Sequence, residues 1–229
     1  MTRARPALAA LLSLTAVGCS QTTFGTATPA APDPLVSAEA LPGLLLSAAD
    51  MQATMSSPQL VVTREVSAPW QDSGRLSDAS CSAVAGAAQQ QVYAAAGWTA
   101  LRAQVVREPP AAASWSHYAV QAVVLFPTAA AAADFFTASR ADWARCSDRE
   151  LTYAQQPAPD QVWSIGSTGV DRDVLAVSRV QRSPQQWSCE RALTVHGNVA
   201  VDVEACSLAA EAPAAVAIAR TISGRLPNA

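Results

Sequence analysis

The chain has 229 residues, half of them hydrophobic, with 15 basic residues that are all arginine and a formal net charge of −3. Without lysine there is no Schiff-base nucleophile and no phosphate-loop lysine. Without a basic cluster the electrostatic footprint of a nucleic-acid binder is missing, so no nucleic-acid partner is expected.

Arg3 and Arg5 open the chain, and an apolar run from Ala7 to Val17 follows, broken only by Ser13 and Thr15. That run rises about 16 Å as a helix, against a hydrocarbon core of about 30 Å, so it is too short for a permanent span. A basic start, a short apolar stretch and Ala16-Val17-Gly18-Cys19 at its end describe a secretory signal peptide over residues 1–18. The segment resembles a bacterial lipoprotein signal, in which the cysteine receives a diacylglycerol. One departure is Ala16, where such signals usually carry leucine. Cys19 is the expected lipid attachment site, and the anchored chain belongs on the extracytoplasmic side of the cell membrane. Residues 19–43 begin with small polar residues and prolines that have little to bury, and read as a flexible tether. Residues 44–229 then form one domain, long enough to bury a real core.

Within it, Ser47 precedes Ala48-Ala49-Asp50-Met51 and predicts a short helix capped by serine, with an acid in its first turn. Leu60 to Thr63 reads as a strand. Ser80 to Ala95 is rich in alanine and glutamine, with Val84, Ala88, Val92 and Ala95 along one face, and reads as a helix that Gly97 stops. Leu101 to Arg107 is β-prone and closed by Pro109-Pro110. Tyr118 to Phe126 is a near-continuous apolar run suited to the centre of a sheet. Pro127-Thr128 opens a long helix whose Phe135, Phe136, Ser139 and Trp143 recur at helical spacing. Gln161 to Ile165 and Asp173 to Arg182 are further strands, and Glu211 to Leu226 is a closing helix. Strands in the middle flanked by helices give an α+β class with a mostly antiparallel sheet.

Setting Cys19 aside leaves Cys81, Cys146, Cys189 and Cys206, an even number that implies a disulfide framework in an exported chain, with three connectivities possible. None of them has the close spacing of a zinc or redox motif, and only His117 and His196 are present to help, so no metal and no cofactor are expected. Gly197-Asn198 lies between two β-prone runs and signals a two-residue hairpin turn. That turn places Cys189 directly opposite Cys206. Counting outward from His196 and Val199, the cysteines fall on a non-hydrogen-bonded pair, where Cα atoms approach to about 4.5 Å and a bridge can close. Geometry thus selects Cys189–Cys206 and leaves Cys81–Cys146 by elimination. Neither face of the hairpin is uniformly apolar, so hydrophobic pattern alone leaves its register open. In the same register Arg191 faces Glu204, a favourable pair.

Several stretches together resemble the PknH-like extracellular sensor domain, a family found behind the membrane span of a mycobacterial kinase and in free-standing mycobacterial lipoproteins. They are Leu44-Leu45-Leu46-Ser47, Val123-Val124-Leu125-Phe126-Pro127, and Trp143 ahead of Cys146. Further along come Trp187-Ser188-Cys189-Glu190-Arg191-Ala192-Leu193, the run His196 to Val203, and Ala217-Ile218-Ala219-Arg220. The resemblance implies an antiparallel sheet flanked by helices, the same disulfide pairing, and a cleft for an unknown ligand. No kinase motif occurs in the chain, so the free-standing, non-catalytic form is expected.

The leading functional reading is therefore a lipid-anchored sensor-like domain that binds a small molecule, lipid or glycan. Trp163 and Trp187 are the cleft candidates, although core packing is the commoner fate of such residues. For His117 and His196, a strand histidine and a turn histidine are preferred over pH sensing. A second reading is a cell-envelope hydrolase, but the chain has no Gly-x-Ser-x-Gly elbow and cannot have Ser-x-x-Lys, so no catalytic residue is assigned. A third is an adaptor that docks on another envelope protein.

Overall fold

A computed structural model of the chain describes residues 35–109, 116–184, 186–208 and 214–227. The signal peptide, Cys19 and most of the tether lie outside the described residues, as does the start of the closing helix.

The described chain begins with two short helices, α1 (Leu41–Leu44) and α2 (Ala48–Thr54). Ser47 and Asp50 form a reciprocal capping box on α2, each side chain bonding the other residue's backbone N–H. Strand β1 (Val61–Val66) follows, then the short helices α3 (Ser82–Ala85) and α4 (Gln90–Tyr93). Next come β2 (Ala100–Arg107), β3 (His117–Leu125), the long helix α5 (Ala129–Arg145), β4 (Glu150–Tyr153) and β5 (Gln161–Ile165). The chain closes with β6 (Gly169–Asp171), β7 (Val174–Gln181), β8 (Trp187–His196), β9 (Val199–Leu208) and α6 (Ala215–Ser223). Among the described residues no helix is long and apolar enough to cross a membrane.

Nine strands make one sheet in the order β1-β2-β3-β9-β8-β7-β5-β4, with β6 also on β7, and every strand pairing is antiparallel. The apolar run from Tyr118 supplies β3, which lies near the middle as its composition demands. Strands β1, β2 and β3 form a meander from the first part of the chain, and β4 to β9 come from the second. The two parts meet along one seam, where β3 pairs with β9 from His117 opposite Ser207 to Leu125 opposite Val199.

Helices cover both faces. One core collects α1, α2 and α6 over Val123, Val199, Val201 and Val203; the other collects α3, α4 and α5 over Leu101, Val124, Leu175 and Leu193. Thr128 caps α5 by accepting from Ala131 N–H at 3.1 Å, and Phe135, Ser139 and Trp143 turn inward at the expected spacing. On α6 the buried face is Ala215, Ile218, Ala219 and Ile222; each fully buried isoleucine contributes about 1.5–3 kcal/mol.

Two side-chain amides stitch the N-terminal segment to the sheet by imitating a strand's backbone. Asn198 accepts from Val36 N–H at 2.9 Å and donates to Val36 O at 3.1 Å. Fully buried Gln121 does the same to Leu46, at 2.8 and 2.9 Å. The packed layer thus starts by Val36, ahead of residue 44.

The predicted Ser80–Ala95 helix is instead two short helices with a break between them. Gly86 is extended, Ala88 takes a left-handed φ of 52°, and Trp70 bonds across to Ala88 and Gln90. The break releases backbone N–H groups that a continuous helix would have consumed, and buried carboxylates take them up.

Candidate functional site

Strand parity decides what faces the broken helix. Trp187, Cys189 and Arg191 alternate along β8, and Asp202, Glu204 and Cys206 along β9, all on the face toward α3. Arg179 lies opposite Cys189 on β7, and Tyr118 opposite Cys206 on β3. An apolar strand face was available; here it carries two acids and two arginines.

The inner pair is sealed. Arg191, 2% exposed, places Nη2 2.7 Å from Asp202 Oδ1 and donates to Ala83 O at 3.1 and 3.0 Å and to Val203 O at 2.6 Å. Its guanidinium sits 5.2 Å from the Trp143 ring centroid. Asp202 Oδ2 accepts from Ala88 N–H at 2.8 Å and Tyr93 O–H at 2.9 Å. Burial first, and then the Asp202 charge, hold the Tyr93 phenol well above its ordinary range, so it remains a donor.

The outer pair borders a cavity of about 420 Å³. Arg179 pairs with Glu204, and its guanidinium stacks 4.5 Å from the Trp163 ring centroid. Glu204 Oε2 also accepts from Ala87 N–H at 3.4 Å. Tyr118, Tyr153, Trp163 and Trp187 supply the aromatic walls, and Gln89, Gln155, Gln161 and Gln181 line it with side-chain amides. Burial chiefly raises both phenols, helped by the Glu204 carboxylate at Tyr118 and the Asp72 carboxylate at Tyr153, and both remain neutral donors.

Two buried polar atoms on residues that line the cavity have no hydrogen-bond partner among the described residues. Gln89 is 8% exposed; its Nε2 donates weakly to Ala87 O at 3.4 Å while its Oε1 accepts nothing. Arg179 Nε is likewise buried and unpaired. Gly86 makes room for this arrangement, since a Cβ there would meet Gln89 Nε2 at 3.0 Å and Glu204 Oε2 at 3.6 Å.

Both disulfides frame the site. Cys189–Cys206 joins the hairpin with Cα atoms 3.9 Å apart, and its strands pair in the expected register. Cys81–Cys146, with Cα atoms 5.7 Å apart, ties the end of α5 to the turn that leads into α3. Cys189, Glu204 and Cys206 place metal-type ligand atoms within 4.8 Å of one another, but the two sulfurs are bonded to each other and offer no thiolate.

Trp163 and Trp187 therefore sit on one cavity, brought together from β5 and β8. The histidines lie elsewhere: His117 Nδ1 is 2.8 Å from Glu108 Oε1, and His196 Nε2 is 2.7 Å from Pro227 O. The expected Arg191–Glu204 partnership needs correction. The two residues do stand opposite each other, but Arg191 reaches diagonally to Asp202, and Glu204 takes Arg179 from β7. Sequence reading passed over Arg179, Gln89, Tyr118 and Tyr153. A usable signal was present in Asp202 and Glu204, two acids in an otherwise apolar strand, which must be paired when buried.

A model of the PknH-like extracellular domain family matches residues 36–225. The chain is 30% identical over 178 residues to the serine/threonine-protein kinases PknH of Mycobacterium bovis and Mycobacterium tuberculosis. That alignment takes in 78% of this chain but only 29% and 28% of those kinases, so the chain spans under a third of their length. The crystal structure of the extracellular domain of PknH from Mycobacterium tuberculosis superposes with a TM-score of 0.77 at 29% identity, covering 84% of this chain and 97% of that domain.

Proposed function

We propose that this chain, which belongs to the PknH-like extracellular domain family, is a ligand-binding sensor domain that performs no catalysis and is held at the cell membrane by a lipid on Cys19. The cavity carries this reading. A buried polar atom without a partner costs about 1–3 kcal/mol, and native proteins leave few of them. Among the described residues Gln89 Oε1 and Arg179 Nε are two such atoms, both on residues that line one cavity walled by aromatic rings. Its volume falls within the range of about 300–1,000 Å³ usual for small-molecule sites. Preformed aromatic walls with a few convergent polar groups suit retention of a small ligand.

The carboxylates at the cavity support binding better than hydrolysis. Glu204 is already committed to Arg179 through one carboxylate oxygen and to a backbone N–H through the other, which fixes its orientation and occupies both oxygens. For the anchor, the lipoprotein-like residues up to Cys19 and the pairing of the other four cysteines support lipidation.

Native mass spectrometry of protein released from its own membranes tests the binding. A retained small molecule, lost in a folded Trp187→Ala variant, is the expected result. A ligand-free spectrum, with no shift in melting temperature on adding an envelope extract, overturns it. Cys19→Ala protein should leave the membrane fraction; continued partition with lipid overturns the anchor.

A further inference from the structure

We infer that the cavity takes a neutral, polyhydroxylated ligand, a mono- or disaccharide unit of a glycan. This assignment rests on the ligand-binding reading and specifies its chemistry. Three properties of the lining point the same way.

The first is charge. Among the described residues lining the cavity Arg179 is the one cation, and it is paired with Glu204, while Asp72 adds a further negative group at the rim. A phosphate or carboxylate ligand would find the one arginine of this described lining already paired. The cation–π position is occupied as well, because the Arg179 guanidinium itself lies over Trp163. That takes Trp163 out of play as a platform for an ammonium ligand.

The second is the kind of polar group. Gln89, Gln155, Gln161 and Gln181 each offer an N–H₂ and a carbonyl, and the Tyr118 and Tyr153 phenols stay protonated. A hydroxyl both donates and accepts, so a polyol can use such a lining from either side. Sugar hydroxyls thus match the amides and phenols of this lining in both roles.

The third is the distribution of apolar surface. Tyr118 on β3, Tyr153 on β4 and Trp187 on β8 bring rings from three different strands into the same lining as the amides. Flat rings of this kind cover the C–H faces of a sugar. An alkyl chain would cover the amides of this lining without pairing them, at a cost in lost hydrogen bonds to water.

The test follows intrinsic tryptophan fluorescence of the disulfide-intact protein during titration with maltose, cellobiose and lactose. Glucose 6-phosphate, choline and laurate serve as anionic, cationic and lipid comparisons. Saturable change with a neutral disaccharide, weakened about ten-fold in Gln89→Leu as one hydrogen bond of about 1.4 kcal/mol is lost, is the expected result. Because Gln89 is buried, Gln155→Ala at the half-buried rim provides a second variant with the fold intact. Binding of only the phosphate, choline or laurate overturns the glycan assignment and leaves ligand binding standing. If no probe binds, the molecule retained in native mass spectrometry decides: a mass built of neutral hexoses upholds the assignment, and any other mass overturns it. No probe bound and no retained mass overturns the ligand-binding reading too.

Discussion

Replacing Arg191 by methionine should be among the most destabilising single changes in this domain. The side chain is 2% exposed and holds Asp202 at 2.7 Å, while spanning to Ala83 O on α3. Methionine fills the volume but leaves the Asp202 carboxylate buried beside two neutral donors, Ala88 N–H and Tyr93 O–H. Removing one member of a buried ion pair costs about 3–5 kcal/mol. For a domain of this size that corresponds to a drop in Tm on the order of 10 °C. Asp202→Leu should cost at least as much, because it strands Arg191, Ala88 N–H and Tyr93 O–H together. The double variant removes both charges at once, so its cost should fall short of the summed single costs by about 2 kcal/mol or more. Urea unfolding of the four proteins with disulfides intact measures the cycle. A single-variant cost below about 1 kcal/mol, or additivity within about 0.5 kcal/mol, would refute the reasoning.

Three further outcomes are expected. Removing Cys81–Cys146 by paired alanines should cost about 4 kcal/mol and removing Cys189–Cys206 about 3 kcal/mol, since the loops closed are 65 and 17 residues; equilibrium unfolding that ranks them the other way contradicts this. Burial raises the half-buried Glu190 carboxyl above its ordinary 4.5, against the opposing N–H groups of Val216 and Ala215. Its folded form therefore prefers the proton, and its contribution is complete below pH 4.5 and lost as pH rises through the raised folded value. Glu190→Gln should flatten that fall in Tm as pH rises above 4.5, and a parallel curve for the variant rules the effect out. Gly97→Ala should cost about 1–2 kcal/mol through its φ of 68° alone, because nothing lies within 4 Å of the added Cβ; an unchanged Tm would show that the backbone adjusts there.

Much of the scaffold is legible in the chain because short-range rules govern it. The Gly197-Asn198 turn sets the parity of every residue on β8 and β9, so the opposed cysteines follow from counting. Ser47 with Asp50, and Thr128, mark helix starts that the structure keeps. What escapes the sequence is decided by contacts between distant segments. The helix expected over Ser80–Ala95 breaks because Ala87 and Ala88 give their N–H groups to Glu204 and Asp202, more than a hundred residues away. Arg191 chooses Asp202 over its opposite neighbour because a long side chain reaches a diagonal position as easily. Trp163 and Trp187 stand out by residue type, whereas Arg179 and Gln89 acquire meaning only once β7 and the broken helix are placed against the same wall.

The seam between β3 and β9 also sets the order in which this molecule can assemble. Each side of it contains hairpins closed by nearby residues, β2 on β3 and β8 on β9, and such pairings form early. The seam must wait for chain separated by α5 and β4 to β8, and loop-closure entropy delays pairings of that kind. Until it closes, the apolar edges of two central strands stay open, and such edges invite pairing with other chains. Cys189–Cys206 lies within one hairpin and can oxidise before that step, whereas Cys81–Cys146 joins chain ahead of β2 to the end of α5. On loop-closure grounds the β3–β9 pairing is the costliest of these to close, and the strand edges it covers are the ones left open to other chains until then.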